Sequence, residues 1–158
     1  MKLSQIKQNI SNGNFDKTFN LLYEDTESAR ARFDSALQEF YNLFGEKEDI
    51  RLFSAPGRTE IGGNHTDHQH GLVLAGSVNL DVIAVVAENQ DGIVRIKSQG
   101  YPQDTVNITE LEPQASEKGC ASALIRGVLA AFKQNGYNIG GFDAYTTSNV
   151  LKGSGLSS

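Results

Sequence analysis

The chain has 158 residues, 14 basic against 19 acidic side chains for a formal net charge of −5, and 39% hydrophobic residues. That apolar content excludes a wholly disordered chain, the acidic balance excludes a general binder of nucleic-acid backbones, and a single cysteine, Cys120, excludes an internal disulfide or a cysteine zinc cage. No window approaches the ~18 apolar residues of a membrane span, and residues 1–8 lack the apolar core of a signal peptide, which together predict a reduced, cytoplasmic protein.

No internal repeat or low-complexity tract is visible. Residues 1–12 predict a short helix ending near Asn12 and Gly13, and residues 15–23 a second, with Phe15, Phe19 and Leu22 on one face. The clearest helix covers residues 26–44. Phe33, Leu37, Phe40 and Phe44 recur at helical spacing, and Ala36 and Leu43 widen the stripe. Asp25 or Thr26 suits its N-cap, and Gly45 its C-terminal stop. Residues 46–49, all charged, predict a solvated loop.

The period then changes from 3.6 to 2. Residues 50–55 read as a strand. In residues 77–82, Val78, Leu80 and Val82 alternate with Ser77, Asn79 and Asp81, the pattern of a half-buried strand, and residues 83–87 continue it with more uniform apolarity. Asn89, Gln90, Asp91 and Gly92 form a turn signal before a strand at residues 93–98. Residues 104–109 alternate again. Residues 121–134 predict a helix whose stripe is Leu124, Val128, Ala131 and Phe132, and residues 141–147 one more strand. Helices, then antiparallel-looking strands, then a helix and a strand make an α+β class. The division expected is a helical segment at 1–49 and a sheet domain at 50–158.

Two clusters carry chemistry. The last predicted strand runs into residues 148–158, SNVLKGSGLSS. Gly153 and Gly155 let the backbone approach a ligand, and Ser157 and Ser158 suit a helix start, whose free amides and dipole favour a phosphate. The pattern lacks the glycine–lysine pair of a Walker loop and the third glycine of a dinucleotide fingerprint. From these residues alone, a phosphate loop and a flexible strand-to-helix turn both remain open. The second cluster, residues 55–71, APGRTEIGGNHTDHQHG, holds all three histidines of the protein. The spacing of His65, Asp67, His68 and His70 matches no standard zinc site, which leaves an exposed polar loop or sugar recognition. Asn64 and Asp67 are suited to fork onto paired hydroxyls, and Arg58 to stabilise charge on a phosphoryl group or lower the pKa of a nearby hydroxyl.

Together the two clusters resemble the galactokinases of the GHMP kinase family. The first run resembles the family's galactose signature, and LKGSGLSS its second motif, in the family's order and roughly ninety residues apart. Residues 40–45 (FYNLFG) and the GFD at residues 141–143 are similar as well, so the likeness spans about residue 30 to the last residue. The resemblance implies the GHMP-kinase N-terminal domain, like domain 2 of ribosomal protein S5, with a mixed sheet on helices, here incomplete and preceded by N-terminal helices. It implies transfer of a phosphoryl group from ATP to the anomeric hydroxyl of galactose. Arg58 would be the catalytic arginine. Asn64, His65, Thr66 and Asp67 would recognise the sugar, and Ser98, Gly153, Ser154, Gly155, Leu156, Ser157 and Ser158 the nucleotide.

Three departures from the family pattern follow. Asn64 stands where galactokinases usually carry Glu, which opens two alternatives: a catalytically silent sugar or nucleotide sensor, or a kinase for N-acetylgalactosamine or another sugar. Leu151 and Lys152 replace the usual proline-containing entry to the loop. Family members are much longer, and their usual magnesium ligands and aspartate base match no residue in this chain. The expected partners are therefore a sugar, ATP with Mg2+, and the C-terminal half of the same protein. Residues 1–158 alone are expected to be inactive and prone to association.

Overall fold

A computed structural model describes residues 1–63, 66, 69–150 and 156. Three helices lead the chain: α1 (Leu3–Ser11), α2 (Asp16–Leu22) and α3 (Thr26–Phe44). Asp25 caps α3 through its carboxylate, which accepts from the amides of Glu27 (3.0 Å) and Ser28 (3.2 Å). The amide of Gly45 closes the helix on the carbonyl of Tyr41. Phe33, Ala36, Leu37 and Phe40 are buried as the helical period predicts, whereas Leu43 is exposed and does not widen the stripe.

Five strands follow: β1 (Arg51–Gly62), β2 (Leu74–Glu88), β3 (Ile93–Ser98), β4 (Gln103–Asn107) and β5 (Phe142–Ser148), with α4 (Ala121–Gln134) between the last two. They form one sheet in the order β1-β2-β5-β3-β4. Every pairing is antiparallel except β3 with β5, which is parallel. The sheet is thus mixed, and β5, last in sequence, sits at its centre.

β1 runs well past the expected strand at residues 50–55. Residues 56–62, in the histidine-rich segment's first half, pair with the start of β2, with register shifts between Pro56 and Arg58 and between Glu60 and Gly62. β1 thus ends at Gly62 and β2 begins at Leu74, within and just after the histidine-rich run.

Helices α1–α3 cover one face of the sheet. Leu3, Ile6, Ile10, Phe19, Phe33, Leu37 and Phe40 share a core with Ile83, Val85, Ala87 and Tyr145. Side chains alternate across a strand, so the residue of β2 continuing this buried row towards the strand's start is Asp81. The row expected from sequence, Val78 through Val82, lies on the other face and is only half-buried. Helix α4 packs over β3 and β4 through a smaller core of Val94, Val106 and Leu129, with Ile125 and Phe142 alongside. Its predicted stripe is turned outward: Leu124 is 75%, Val128 56% and Phe132 51% exposed. The helix has two apolar sides, and the pair Ile125–Leu129 meets Val94 and Val106 while Arg126 is buried against Glu117 (2.6 and 2.8 Å) and the carbonyl of Glu110. Among the described residues no helix is long and apolar enough to cross a membrane.

Candidate functional site

Arg58 and the end of β5 lie towards the same end of the sheet. β3 and β5 are parallel, so their carboxyl ends, Ser98 and Ser148, lie on one edge, where open α/β sheets characteristically receive ligands. β2 runs antiparallel to β5, and its first half extends past that edge together with residues 58–62 of β1. Arg58, opposite Ser77, is therefore carried beyond the edge from which residues 149–158 depart.

Arg58 lies in the strand, with Nη2 3.6 Å from Oε1 of Glu60. Two residues along a strand share a face, so this carboxylate lies beside the guanidinium and helps to hold it. Glu60 is part of the quoted motif, yet the sequence singled out only Arg58.

The bend that follows is built by close backbone approach. The hydroxyl of Thr66 donates to the carbonyl of Gly63 (2.7 Å), and the carbonyl of Thr66 accepts from the amides of Gln69 (2.9 Å) and Gly71 (2.8 Å). A Cβ on Gly71 would come within 2.1 Å of Oγ1 of Thr66, and one on Gly63 within 2.6 Å of the carbonyl oxygen of Leu72. Only glycine fits both places. Thr66 thus shapes the turn with its hydroxyl. Asn64, His65, Asp67 and His68 fall outside the described residues, as do Leu151, Lys152, Gly153, Ser154, Gly155, Ser157 and Ser158. Among the described residues no group of three or more His, Cys, Asp or Glu side chains could hold a metal ion.

Ser98 ends β3 beside Thr146 of β5 and accepts a hydrogen bond from its hydroxyl (2.9 Å). Thr147 makes a second side-chain bond, to Gln99. The carboxyl ends of the parallel pair are thus cross-linked by hydroxyl and amide groups just before residue 149.

Across β5 from Ser98 lies a polar network that sequence reasoning missed. Asp81 is 3% exposed. Its carboxylate accepts from Oη of Tyr23 (2.6 Å), Oγ of Ser54 (2.5 Å) and Nη1 of Arg32. The other guanidinium nitrogen, Nη2, donates to the carbonyls of Asp81 (2.9 Å) and Thr147 (3.3 Å). Asp81 and Asn149 then exchange two bonds. The amide of Asp81 donates to Oδ1 of Asn149 (2.6 Å), and the amide of Asn149 to the carbonyl of Asp81 (3.1 Å). Burial pushes the Asp81 carboxyl up, but the bonds from Ser54, Tyr23 and Arg32 and the arginine's charge outweigh it and hold the group below the usual carboxylate range. Tyr23 responds oppositely: burial and the neighbouring carboxylate raise its phenol. The available signal was parity, since Asp81 shares a face with Ile83, Val85 and Ala87 once β2 is read as one strand.

A cavity of about 190 Å³ adjoins this network, lined by Tyr23, Ser28, Arg32, Asn79 and Asn149 among others. A larger depression of about 740 Å³ lies between α4 and residues 109–114 and is lined by none of the motif residues.

Residues 38–88 match the family model described as the galactokinase galactose-binding signature. The chain is 37% identical over 121 residues to the galactokinase of Bacillus subtilis, covering 75% of this chain and 31% of that relative. It is 31% identical to the galactokinase of Streptomyces coelicolor over 77% of this chain and again 31% of the relative. In three dimensions it resembles a galactokinase from Lactococcus lactis complexed with galactose, at a TM-score of 0.67 and 29% identity over 78% of this chain and 33% of that one. A mevalonate kinase from Methanococcus jannaschii, at a TM-score of 0.50 and 13% identity over 70% of this chain and 36% of that one, shares the fold. The chain thus spans about a third of the length of the relatives it matches. The matched signature lies across α3, β1 and β2, and over about three quarters of its length this chain is similar to about a third of the length of these galactokinases.

Proposed function

We propose that the full-length protein carrying this segment transfers the γ-phosphoryl group of ATP to the anomeric hydroxyl of galactose, and that residues 1–158 alone do not turn over. The observation that carries the reading is that the galactose signature includes residues 58–62 of β1 and the first half of β2, which extend past Ser148 at the end of β5, the strand that precedes KGSGLSS in the sequence. In the reaction the anomeric oxygen forms a bond to the γ-phosphorus, the bond to the bridging oxygen of ADP breaks, and the hydroxyl proton passes to a base. Catalysis of this kind is positioning plus charge stabilisation. Arg58 supplies positive charge near the reacting oxygen, held by Glu60. Asn64, His65, Thr66 and Asp67 orient the sugar, Thr66 by shaping the bend. Gly153, Ser154, Gly155, Leu156, Ser157 and Ser158 cradle the phosphates, with Ser98 at the neighbouring strand end. The family's cofactor, Mg2+, would draw its ligands and the reaction its base from outside residues 1–158. The protein would act in the cytoplasm, with residues 1–49 as a helical layer on a domain at 50–158.

The test is a coupled ADP-release assay with galactose, run on the full-length protein and on residues 1–158. Turnover by the first and none by the second is expected. Arg58→Ala should lower kcat by about 10²–10³-fold, the scale of losing one transition-state charge stabiliser. Absence of galactose-dependent ADP from the full-length protein would overturn the assignment. A second reading rests on Asn64, an uncharged amide where relatives usually carry Glu: a sensor that binds sugar without chemistry, or a kinase for N-acetylgalactosamine. Calorimetric galactose binding without turnover would favour the sensor, and a sugar panel separates the kinases.

A further inference from the structure

We propose that Asp81, Arg32 and Asn149 form a positioning unit that sets how the chain leaves β5 into residues 151–158, and so governs nucleotide affinity without touching the nucleotide. The inference rests on the functional reading above for the nucleotide's place, but its geometry is independent of it. The β2–β5 ladder runs regularly from Glu88 opposite Phe142 to Val82 opposite Ser148. The next rung is different. Asp81 receives the amide of Asn149 on its carbonyl, but its own amide donates to the side-chain Oδ1 of Asn149 rather than to a backbone carbonyl. A side chain has replaced a main-chain acceptor, which ends the regular ladder and releases the backbone carbonyl of Asn149 from the sheet. One residue further on, the amide of Val150 is taken by Oγ of Ser148 (3.0 Å), another side-chain substitution. The departure is therefore specified by two side chains within three residues.

The rung is held from outside the sheet. Arg32 comes from α3 and contacts three acceptors on two strands: the Asp81 carboxylate, the Asp81 carbonyl and the Thr147 carbonyl. A planar guanidinium fits such a set because its donors are fixed in a fork, which an ammonium cannot match. Tyr23 from the end of α2 and Ser54 from β1 occupy the other carboxylate oxygen. Three further segments, α2, α3 and β1, thus converge on the last rung between β2 and β5 before the glycine-rich stretch. A buried ion pair is weak evidence for stability, since well-packed apolar residues often serve as well or better. What the pair adds here is a unique geometry at one strand exit.

The experiment measures initial rates of the full-length protein with ATP and galactose varied separately, and titrates a fluorescent ATP analogue in parallel. Asn149→Ala should raise the KM for ATP about tenfold and weaken analogue binding to the same degree, with the KM for galactose held within about twofold. Arg32→Lys, which keeps the charge but loses the fork, should move ATP affinity in the same direction. As control, Glu117→Gln breaks the ion pair with Arg126 of α4, on the other face of the sheet. It should lower the melting temperature and leave both KM values unchanged, which a merely structural role for Asn149 would not distinguish. An unchanged ATP KM in Asn149→Ala, or equal shifts in both KM values, overturns the proposal. If Asn149→Ala does not fold, Tyr23→Phe takes its place with about a threefold rise expected and no change overturning. If the unsubstituted protein shows no turnover, the kinase reading falls, and the analogue titration still decides the positioning role by the same tenfold criterion.

Discussion

Two buried aspartates sit at opposite ends of the same core row. Asp81 lies midway along β2, beside the end of β5 at Ser148, and Asp143 at the start of β5, opposite Ala87. Both face α1–α3, and between them lie Ile83, Val85 and Tyr145. Both are paired to arginine. Asp81 is joined by Arg32, Tyr23, Ser54 and Asn149. Asp143 is joined by Arg95 (3.0 Å), Lys47 (3.1 Å) and Asn89 (3.1 Å). The difference is what each network ties down. The Asp143 network holds Lys47, in the loop after α3, to the turn at residues 89–92, at the other end of the β2–β5 ladder from Ser148. The Asp81 network holds α2, α3 and β1 to the exit of β5. Similar chemistry thus serves stability at one end and the candidate site at the other.

Asp81→Ala should be the most damaging single change. It strands the Arg32 guanidinium, whose side chain is only 20% exposed, and should cost about 3–5 kcal/mol in urea unfolding, with loss of ATP affinity. Asp143→Ala should cost less, about 1–3 kcal/mol, because Arg95 keeps its bond to Asp91 (2.5 Å) and Lys47 reaches water. It should leave the KM for ATP within about twofold. Equal effects of the two variants on ATP affinity would erase the distinction between the two ends.

Acid sharpens the comparison further. The folded Asp81 carboxyl lies below the ordinary value of about 3.9. Its contribution to stability is therefore full above that ordinary value and is lost as pH falls through the folded one. Arg32→Gln removes one of the groups that hold the carboxyl down, so its acid-unfolding midpoint should move to higher pH. Circular dichroism along a pH titration reads this, and an unmoved midpoint would show that Tyr23 and Ser54 suffice. The smallest effect belongs to Glu88→Gln. The Arg51–Glu88 pair (3.4 Å) is 67% and 70% exposed, and its loss should cost no more than about 1 kcal/mol by thermal melt, with no change in activity.

Legibility in the sequence followed the range of the interaction that decides each feature. α3 was readable to its ends because its caps and stripe are set within a few residues: Asp25 bonds two and three residues on, and Phe33, Leu37 and Phe40 share one face. The motifs were readable because Arg58 and the two glycine-rich runs are local patterns. In α4 the span was legible but its buried side was not. Both of its sides carry apolar residues, and only Val94 and Val106, from strands distant in sequence, select Ile125 and Leu129. The Asp81 network was hidden for the same reason. Its members come from residues 23, 32, 54, 81 and 149, and no spacing relates them.

Periodicity, capping and glycine placement, all short-range effects, determined the α+β class, the element order and the family motifs from the sequence alone. The tertiary structure alone decided that β5 enters the centre of the sheet beside parallel β3, that Asp81 rather than Leu80 faces the helices, and that Arg32 holds the strand exit. These outcomes depend on which distant segments pair, and strand pairing is set by the burial of whole faces rather than by neighbouring residues.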